Sequence, residues 1–229
     1  MIAIIAGMQR SGSTFSFNVA RELLEARGGV SVFSTNAFDE ALDASMNSNN
    51  LIIKTHAPDH FTNLLLKKNA LPCICTIRKP EDAIASWMRT FEFSLEESVA
   101  AYEGWLAWHR QMSKHVLNID YDEIERTPLL AVLKIGRYLL RDMKINEIIQ
   151  IWWQFRKSTV YKKTQGLQRE THEIVDMGFS YYDKRTFFHR RHVSSLEMTS
   201  AHEFLTQQQI AFVRQELKEY VDVAGNYHW

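Results

Sequence analysis

Residues 2–17 read IAIIAGMQRSGSTFSF. The apolar run at 2–6 predicts a buried strand. The stretch TFSFNVARELLEAR, 14–27, predicts a helix with Phe15, Val19 and Leu23 on one face and Gly28-Gly29 as its stop. Between them, Gly7 to Thr14 (GMQRSGST) must turn the chain from strand to helix. Backbone N–H groups of such a turn, with the unpaired N–H groups of the helix start, form a cradle for an anion. The spacing G-x-x-x-x-G matches the front of a nucleotide-binding P-loop. The residues after it do not: Ser13-Thr14 stands where a Walker motif has Lys followed by Ser or Thr. The cation has moved forward to Arg10. A Walker lysine serves β- and γ-phosphates together with Mg²⁺, so its loss argues against a nucleoside-triphosphate enzyme. Gly12 alone would be explained by an ordinary tight turn; Arg10, Ser11, Gly12, Ser13 and Thr14 together favour an anion site.

Outward from this loop, apolar runs alternate with helical patterns. Strands are expected at 30–34, 51–54, 70–77 and 115–121. Helices are expected at 36–44, 59–68, 80–91, 94–112, 128–141 and 145–163. Beyond residue 164 the chain is aromatic and basic (FSYYDKRTFFHRRH) and is read mostly as loop, up to a helix near 206–220. Strands alternating with helices predict an α/β fold: one domain over 1–229, with a central parallel sheet of about five strands and helices on both faces. Ligands in such sheets bind beyond the carboxyl ends of the strands.

Composition fits this reading. The 229 residues suit one sizeable α/β domain, and apolar residues make up 45% of them. Formal net charge is zero, which disfavours non-specific nucleic-acid binding, so an anion site must come from local clustering of basic residues. The opening MIAIIAG is too short for a signal peptide and lacks a basic leader. No run approaches the ~18 apolar residues of a membrane span. Cys73 and Cys75, the two cysteines, sit two apart in PCICTI and would share one strand face as small buried side chains. A disulfide between them is geometrically poor, and a metal site would need further ligands, so no metal is expected. A reduced, cytoplasmic setting is the corresponding expectation.

Two more motifs follow strand runs. IIKTHAP, 52–58, delivers Lys54, Thr55 and His56 at a strand end: a fixed cation, and a group able to accept a proton near neutral pH. CICTIRKPEDAIASWM, 73–88, ends its strand at Arg78, and Pro80, Glu81 and Asp82 suit the helix start that follows. Ser86 lies further along this helix, so Arg78 and Ser86 can converge on one anion. The bland alternative pairs Arg78 with Asp82 or Glu81 and leaves Ser86 packed.

Together these motifs resemble the sulfotransferases that use 3′-phosphoadenosine-5′-phosphosulfate (PAPS). GMQRSGST resembles their 5′-phosphosulfate loop, IIKTHAP their K-T-H-x-P element, and IRKPEDAIASWMRTF their 3′-phosphate motif R-x-P-x-D-x-x-x-S. IDYDEIERTP looks like their Y-E-D-L-x-x-x-P stretch. The four occur in the family's order within residues 1–128; beyond that the likeness thins to the helix VLKIGRYLL. The resemblance implies transfer of a sulfuryl group from PAPS to a hydroxyl or amine, with 3′-phosphoadenosine 5′-phosphate (PAP) as product and no metal required. Arg10, Ser11, Gly12, Ser13 and Thr14 would hold the 5′-phosphosulfate, with Phe15 near adenine and Phe155 a further adenine neighbour. Lys54 would neutralise the moving group and His56 would be the general base. Arg78 and Ser86 would bind the 3′-phosphate.

The family's C-terminal R-K-G element appears only in altered form as FFHRRHVSS, where Arg190, Arg191 and His192 offer a second clamp. The acceptor site is expected from the helices after residue 90 and from the tail, with 129–229 as the acceptor and 3′-phosphate region, for a small-molecule, glycan or lipid acceptor. Trp87, Phe91, Trp105, Trp108, Tyr181, Tyr182 and Phe187 are aromatic candidates, but aromatic residues at helical spacing are more often core than ligand site, so none is assigned. His109 and His115 read as surface or core histidines. A P-loop kinase or other triphosphate enzyme, and a catalytically silent PAPS- or PAP-binding module, are the alternatives.

Overall fold

A computed structural model of the chain describes residues 1–45, 48–91, 93–169, 171, 173–176, 178, 181–190, 193 and 200–220. In chain order its elements are β1 (Ile2–Ile5), α1 (Ser13–Glu25), β2 (Val30–Ser34), α2 (Phe38–Ala44), β3 (Asn50–Lys54) and α3 (His60–Lys67). Then come β4 (Cys73–Ile77), α4 (Pro80–Phe91), α5 (Leu95–Met112), β5 (Leu117–Asp120), α6 (Tyr121–Arg126) and α7 (Pro128–Leu139). The last are α8 (Ile145–Phe155), α9 (Lys157–Gln165), β6 (Ile174–Asp176), β7 (Tyr181–Asp183) and α10 (Gln207–Glu216).

Strands β1 to β5 form one parallel sheet in the order β2-β3-β1-β4-β5. Its central strand shows why the first residues are apolar without alternation. Ala3 and Ile5 face a core shared with α1, α7 and α8, while Ile4 and Ala6 face a second core shared with Phe38, Ala41 and Leu66 of α2 and α3. A strand covered on both sides needs apolar residues at every position. Cys73 and Cys75 lie together in the second core as free thiols. From β1 the chain departs toward β2, and from β4 toward β5, so the two neighbours diverge at their carboxyl ends. That divergence opens the crevice where such sheets take ligands.

Two expectations are corrected and one is refined. The helix expected over 145–163 is two helices, because Arg156 adopts an extended backbone (φ −60°, ψ 145°) between α8 and α9. Its guanidinium stacks on the Trp153 ring and its Nε donates to Thr159 Oγ1 at 3.1 Å, which holds the break. The strand expected through Tyr121 stops at Asp120. The Asp120 carboxylate accepts from the Asp122 N–H while Glu123 reaches back to the Asp120 N–H, and this cap starts α6 at Tyr121. The tail is not all loop. Strands β6 and β7 pair antiparallel, and a tight turn follows, in which Asp183 Oδ1 accepts from the Thr186 N–H at 2.7 Å and its hydroxyl at 2.6 Å. Asn18 of α1 donates to Thr186 O at 2.8 Å and so ties this turn to the helix that follows the β1 loop.

Candidate active site

The loop after β1 is held in place from three sides. Gly7 packs so closely that a Cβ there would lie 2.2 Å from Thr76 Oγ1 and 2.6 Å from Ser13 Cβ. Gly12 caps α1 with φ +86°, a conformation that favours glycine, and a Cβ on it would lie 2.8 Å from Ile124 Cδ1 of α6. Ser11 turns its hydroxyl inward, 2.5 Å from Met8 O and 2.9 Å from Thr76 O. It does not line the cavity that the loop borders. The Tyr102 hydroxyl of α5 donates to Gln9 O at 2.7 Å from below.

Beyond β1, β3 and β4 lies a cavity of about 810 Å³. Its wall brings together Arg10, Gly12, Ser13, Thr14 and Phe15 from the loop and α1, Lys54 and His56 from the end of β3, and Arg78 and Ser86 from β4 and α4. Phe155 and Arg190 also line it. Arg191 and His192 lie outside the described residues. Of the aromatic candidates, Trp87, Phe91 and Tyr181 are in the wall. Trp105 instead stacks on His109 in the core, Trp108 donates to Asn63, and Phe187 packs on Phe17. His109 contacts Asn118 and His115 contacts Asn69, both away from the cavity.

The first and third motifs touch. Arg78 Nη1 donates to Arg10 O at 3.3 Å, and Arg10 Nε donates to Ser86 Oγ at 3.1 Å. Ser86 is therefore bonded to Arg10 rather than converging with Arg78 alone. Glu81 accepts from Arg214 at 3.0 Å and Asp82 from the Ala201 N–H at 2.6 Å, while the Arg78 charge also acts on the Asp82 carboxyl. The Arg78 guanidinium lies 4.2 Å over the Tyr121 ring, a cation–π contact that sets its plane.

Crowding of like charge shapes the electrostatics. Burial, then neighbouring Arg78, lowers Arg10 from its ordinary value, against opposing pulls from the Tyr102 and Tyr121 rings. Lys54 is pushed down to about 8 by burial and by Arg10. His56 is pushed down to about 4 by burial and then by Lys54, and is neutral at pH 7. Its Nδ1 lies 2.6 Å from the Gly7 carbonyl oxygen. A carbonyl can only accept, so Nδ1 carries the hydrogen and Nε2 keeps its lone pair.

Sequence reasoning missed several wall residues. His189, pushed down to about 4 by burial, Lys54 and Arg10, enters from the turn after β7. Its position beside Arg190 in FFHRRH was the available signal. Tyr121 lay within the quoted IDYDEIERTP without a role. Lys157 lines the cavity paired to Glu125 at 2.5 Å, a contact 32 residues apart that no local pattern announces.

The residues fit an adenine nucleotide carrying charge at both ends. The cavity holds several cationic groups that repel one another, backbone N–H groups at the start of α1, and apolar surface from Phe15 and Phe155. This architecture is the fold of the PAPS-dependent sulfotransferases. The chain superposes on mouse sulfotransferase SULT7A1 complexed with PAP with a TM-score of 0.65 at 14% identity, covering 98% of this chain and 85% of that one. Retinol dehydratase matches it similarly. Its complex with androsterone and the inactive cofactor PAP gives 0.64 at 10% identity (99% and 82% covered), and its complex with retinol and PAP gives 0.64 at 11% (100% and 83%). No family model matches the sequence, and no curated protein does.

Proposed function

We propose that the chain is a sulfotransferase that moves a sulfuryl group from PAPS to a hydroxyl or amine of a small-molecule, glycan or lipid acceptor. The observation that carries this reading is the meeting of Arg10, Lys54, His56 and Arg78 at neighbouring strand ends in one cavity. The proteins of like fold hold PAP, and one holds retinol or androsterone beside it, which supports a lipophilic acceptor here.

PAPS, when bound, supplies an activated sulfuryl group and a bisphosphate leaving group. Arg10 and the N–H groups at the start of α1 bind its 5′ end and meet the charge on the leaving oxygen. A sulfuryl group carries less negative charge than a phosphoryl group, so this set suffices without a metal. Arg78, Ser86 and Arg190 hold the 3′-phosphate, with the Tyr121 ring fixing Arg78. Ser86 reaches that phosphate by exchanging its bond to Arg10. Lys54 offsets charge on the sulfuryl oxygens. Neutral His56, held by Gly7, receives the acceptor proton at Nε2. Phe15 and Phe155 flank the base.

The test is transfer of labelled sulfate from PAPS to a mixed panel of phenols, alcohols, amines and glycans. Labelled product that disappears in His56→Ala supports the reading. PAP binding with no product from any acceptor class would make the chain a binding module instead. Mg²⁺-dependent ATP turnover would move it to the triphosphate enzymes.

A further inference from the structure

The chain is formally neutral, yet its charge is uneven. From Arg126 to Lys163 it carries nine Lys or Arg against two Asp or Glu. Arg126, Lys134 and Lys157 are matched by Asp122, Glu123 and Glu125 of α6, and Glu147 is taken by Arg27 of the α1 end. Arg137, Arg141 and Lys144, around the connection from α7 to α8, are exposed. Arg137 and Arg141 have no ion pair among the described residues.

The same two helices expose apolar side chains. Ile145, Ile149 and Trp153 of α8 are 77%, 50% and 54% exposed and follow one another at four-residue spacing, which makes them one stripe. On α7, Leu129, Leu133 and Gly136 share one side by spacings of four and three residues. Gly136 is where α7 meets α8, since a Cβ on it would lie 3.3 Å from Ile148 Cδ1. That side of α7 adjoins α8 at Gly136, and Leu129 of α7 is itself 38% exposed. The stripe ends at Trp153, with the Arg156 guanidinium 3.5 Å over its ring.

We propose that the α7–α8 face docks on the surface of an anionic lipid bilayer. Isoleucine, leucine and tryptophan bordered by arginine and lysine are what a helix lying in a headgroup layer presents. Each basic side chain near an anionic leaflet adds attraction. A nucleic acid would satisfy the cations and leave the isoleucines in water. A second copy across a two-fold axis would bury the isoleucines and bring like charges together. A bilayer satisfies both. The proposal does not depend on the transfer reaction.

The test is co-sedimentation of the full chain with phosphatidylcholine vesicles, with and without phosphatidylglycerol, at low and raised salt. The expected result is pelleting with the anionic vesicles, weaker at raised salt, and little with neutral ones. Ile145→Glu with Ile149→Glu should lower partition about tenfold or more, with an unchanged thermal transition. Arg137→Gln with Arg141→Gln, fully surface changes that leave the packing alone, should also lower it about tenfold. Equal pelleting with neutral vesicles, no pelleting with either, or unchanged partition in both variants would overturn the proposal. So would a wild-type dimer by light scattering that Ile149→Glu converts to monomer, since the face would then belong to a second copy.

Discussion

His56 and Gly7, 49 residues apart, are joined by a 2.6 Å contact from imidazole Nδ1 to carbonyl oxygen. Gly7 lies just after β1 at the start of the loop to α1, while His56 lies just after β3. One hydrogen bond thus ties the proposed base to the loop proposed to cradle the donor, and leaves Nε2 with its lone pair.

The first prediction concerns that base. His56→Ala should lower kcat by about 10²–10⁴, the usual loss for a general base, with PAP affinity largely kept. Steady-state rates and PAP titration check it. Unchanged turnover would remove His56 from the mechanism.

Lys54 predicts proton uptake on donor binding. Its folded value of about 8 lies below the ordinary 10.5 because of burial and Arg10, so the lysine is partly neutral near pH 8. Phosphate and sulfate oxygens would favour the charged form. Calorimetry with PAP at pH 8 in buffers of different ionisation enthalpy should therefore show net proton uptake, and affinity should fall as pH rises from 8. Buffer-independent heats would contradict this.

Acid stability follows from the two histidines in the wall. His56 and His189 sit near 4 when folded and near 6.5 when unfolded. The unfolded chain binds more protons between these values, so stability falls as pH drops from about 6.5 toward 4. The melting temperature should decline over that window, and less steeply in a His189→Gln variant. Identical pH profiles for variant and wild type would show that His189 titrates normally.

Gly7→Ala should be more damaging than Gly12→Ala. At position 7 the added carbon meets Thr76 and Ser13 in the sheet and helix, whereas at position 12 it meets the tip of Ile124 and costs mainly the left-handed backbone, roughly 1 kcal/mol or more. Thermal melts would rank them. A milder Gly7 variant would show that the β1–β4 crossing is looser than the contacts imply.

The sheet was legible because β1, β3 and β4 are buried on both faces, so their sequences are apolar throughout and bracketed by glycine, proline or charge. The site was legible for a related reason: each motif sits in a short segment at the end of such a strand. What escaped notice depends on side-chain contacts that hydrophobic periodicity does not encode. Arg156 interrupts a continuous helical pattern only because its backbone and guanidinium close on Trp153 and Thr159. The β6–β7 hairpin is three residues a side and owes its place to Asn18 and Phe17 of α1, which a local pattern does not reveal. His189 reaches the cavity through that hairpin, and Lys157 through its ion pair with Glu125, so neither could be placed from its neighbours in the chain.

Discrimination by the 3′-phosphate is the most direct test of the central claim. Titration calorimetry of the wild type and Arg78→Ala with PAP and with adenosine 5′-phosphate, which lacks that group, compares the two ends of the nucleotide. The account predicts that the wild type prefers PAP by at least about tenfold, the scale of one charge-assisted contact, and that Arg78→Ala erases most of the preference. Equal binding of the two nucleotides by the wild type, or a preference for PAP untouched in the variant, would contradict it.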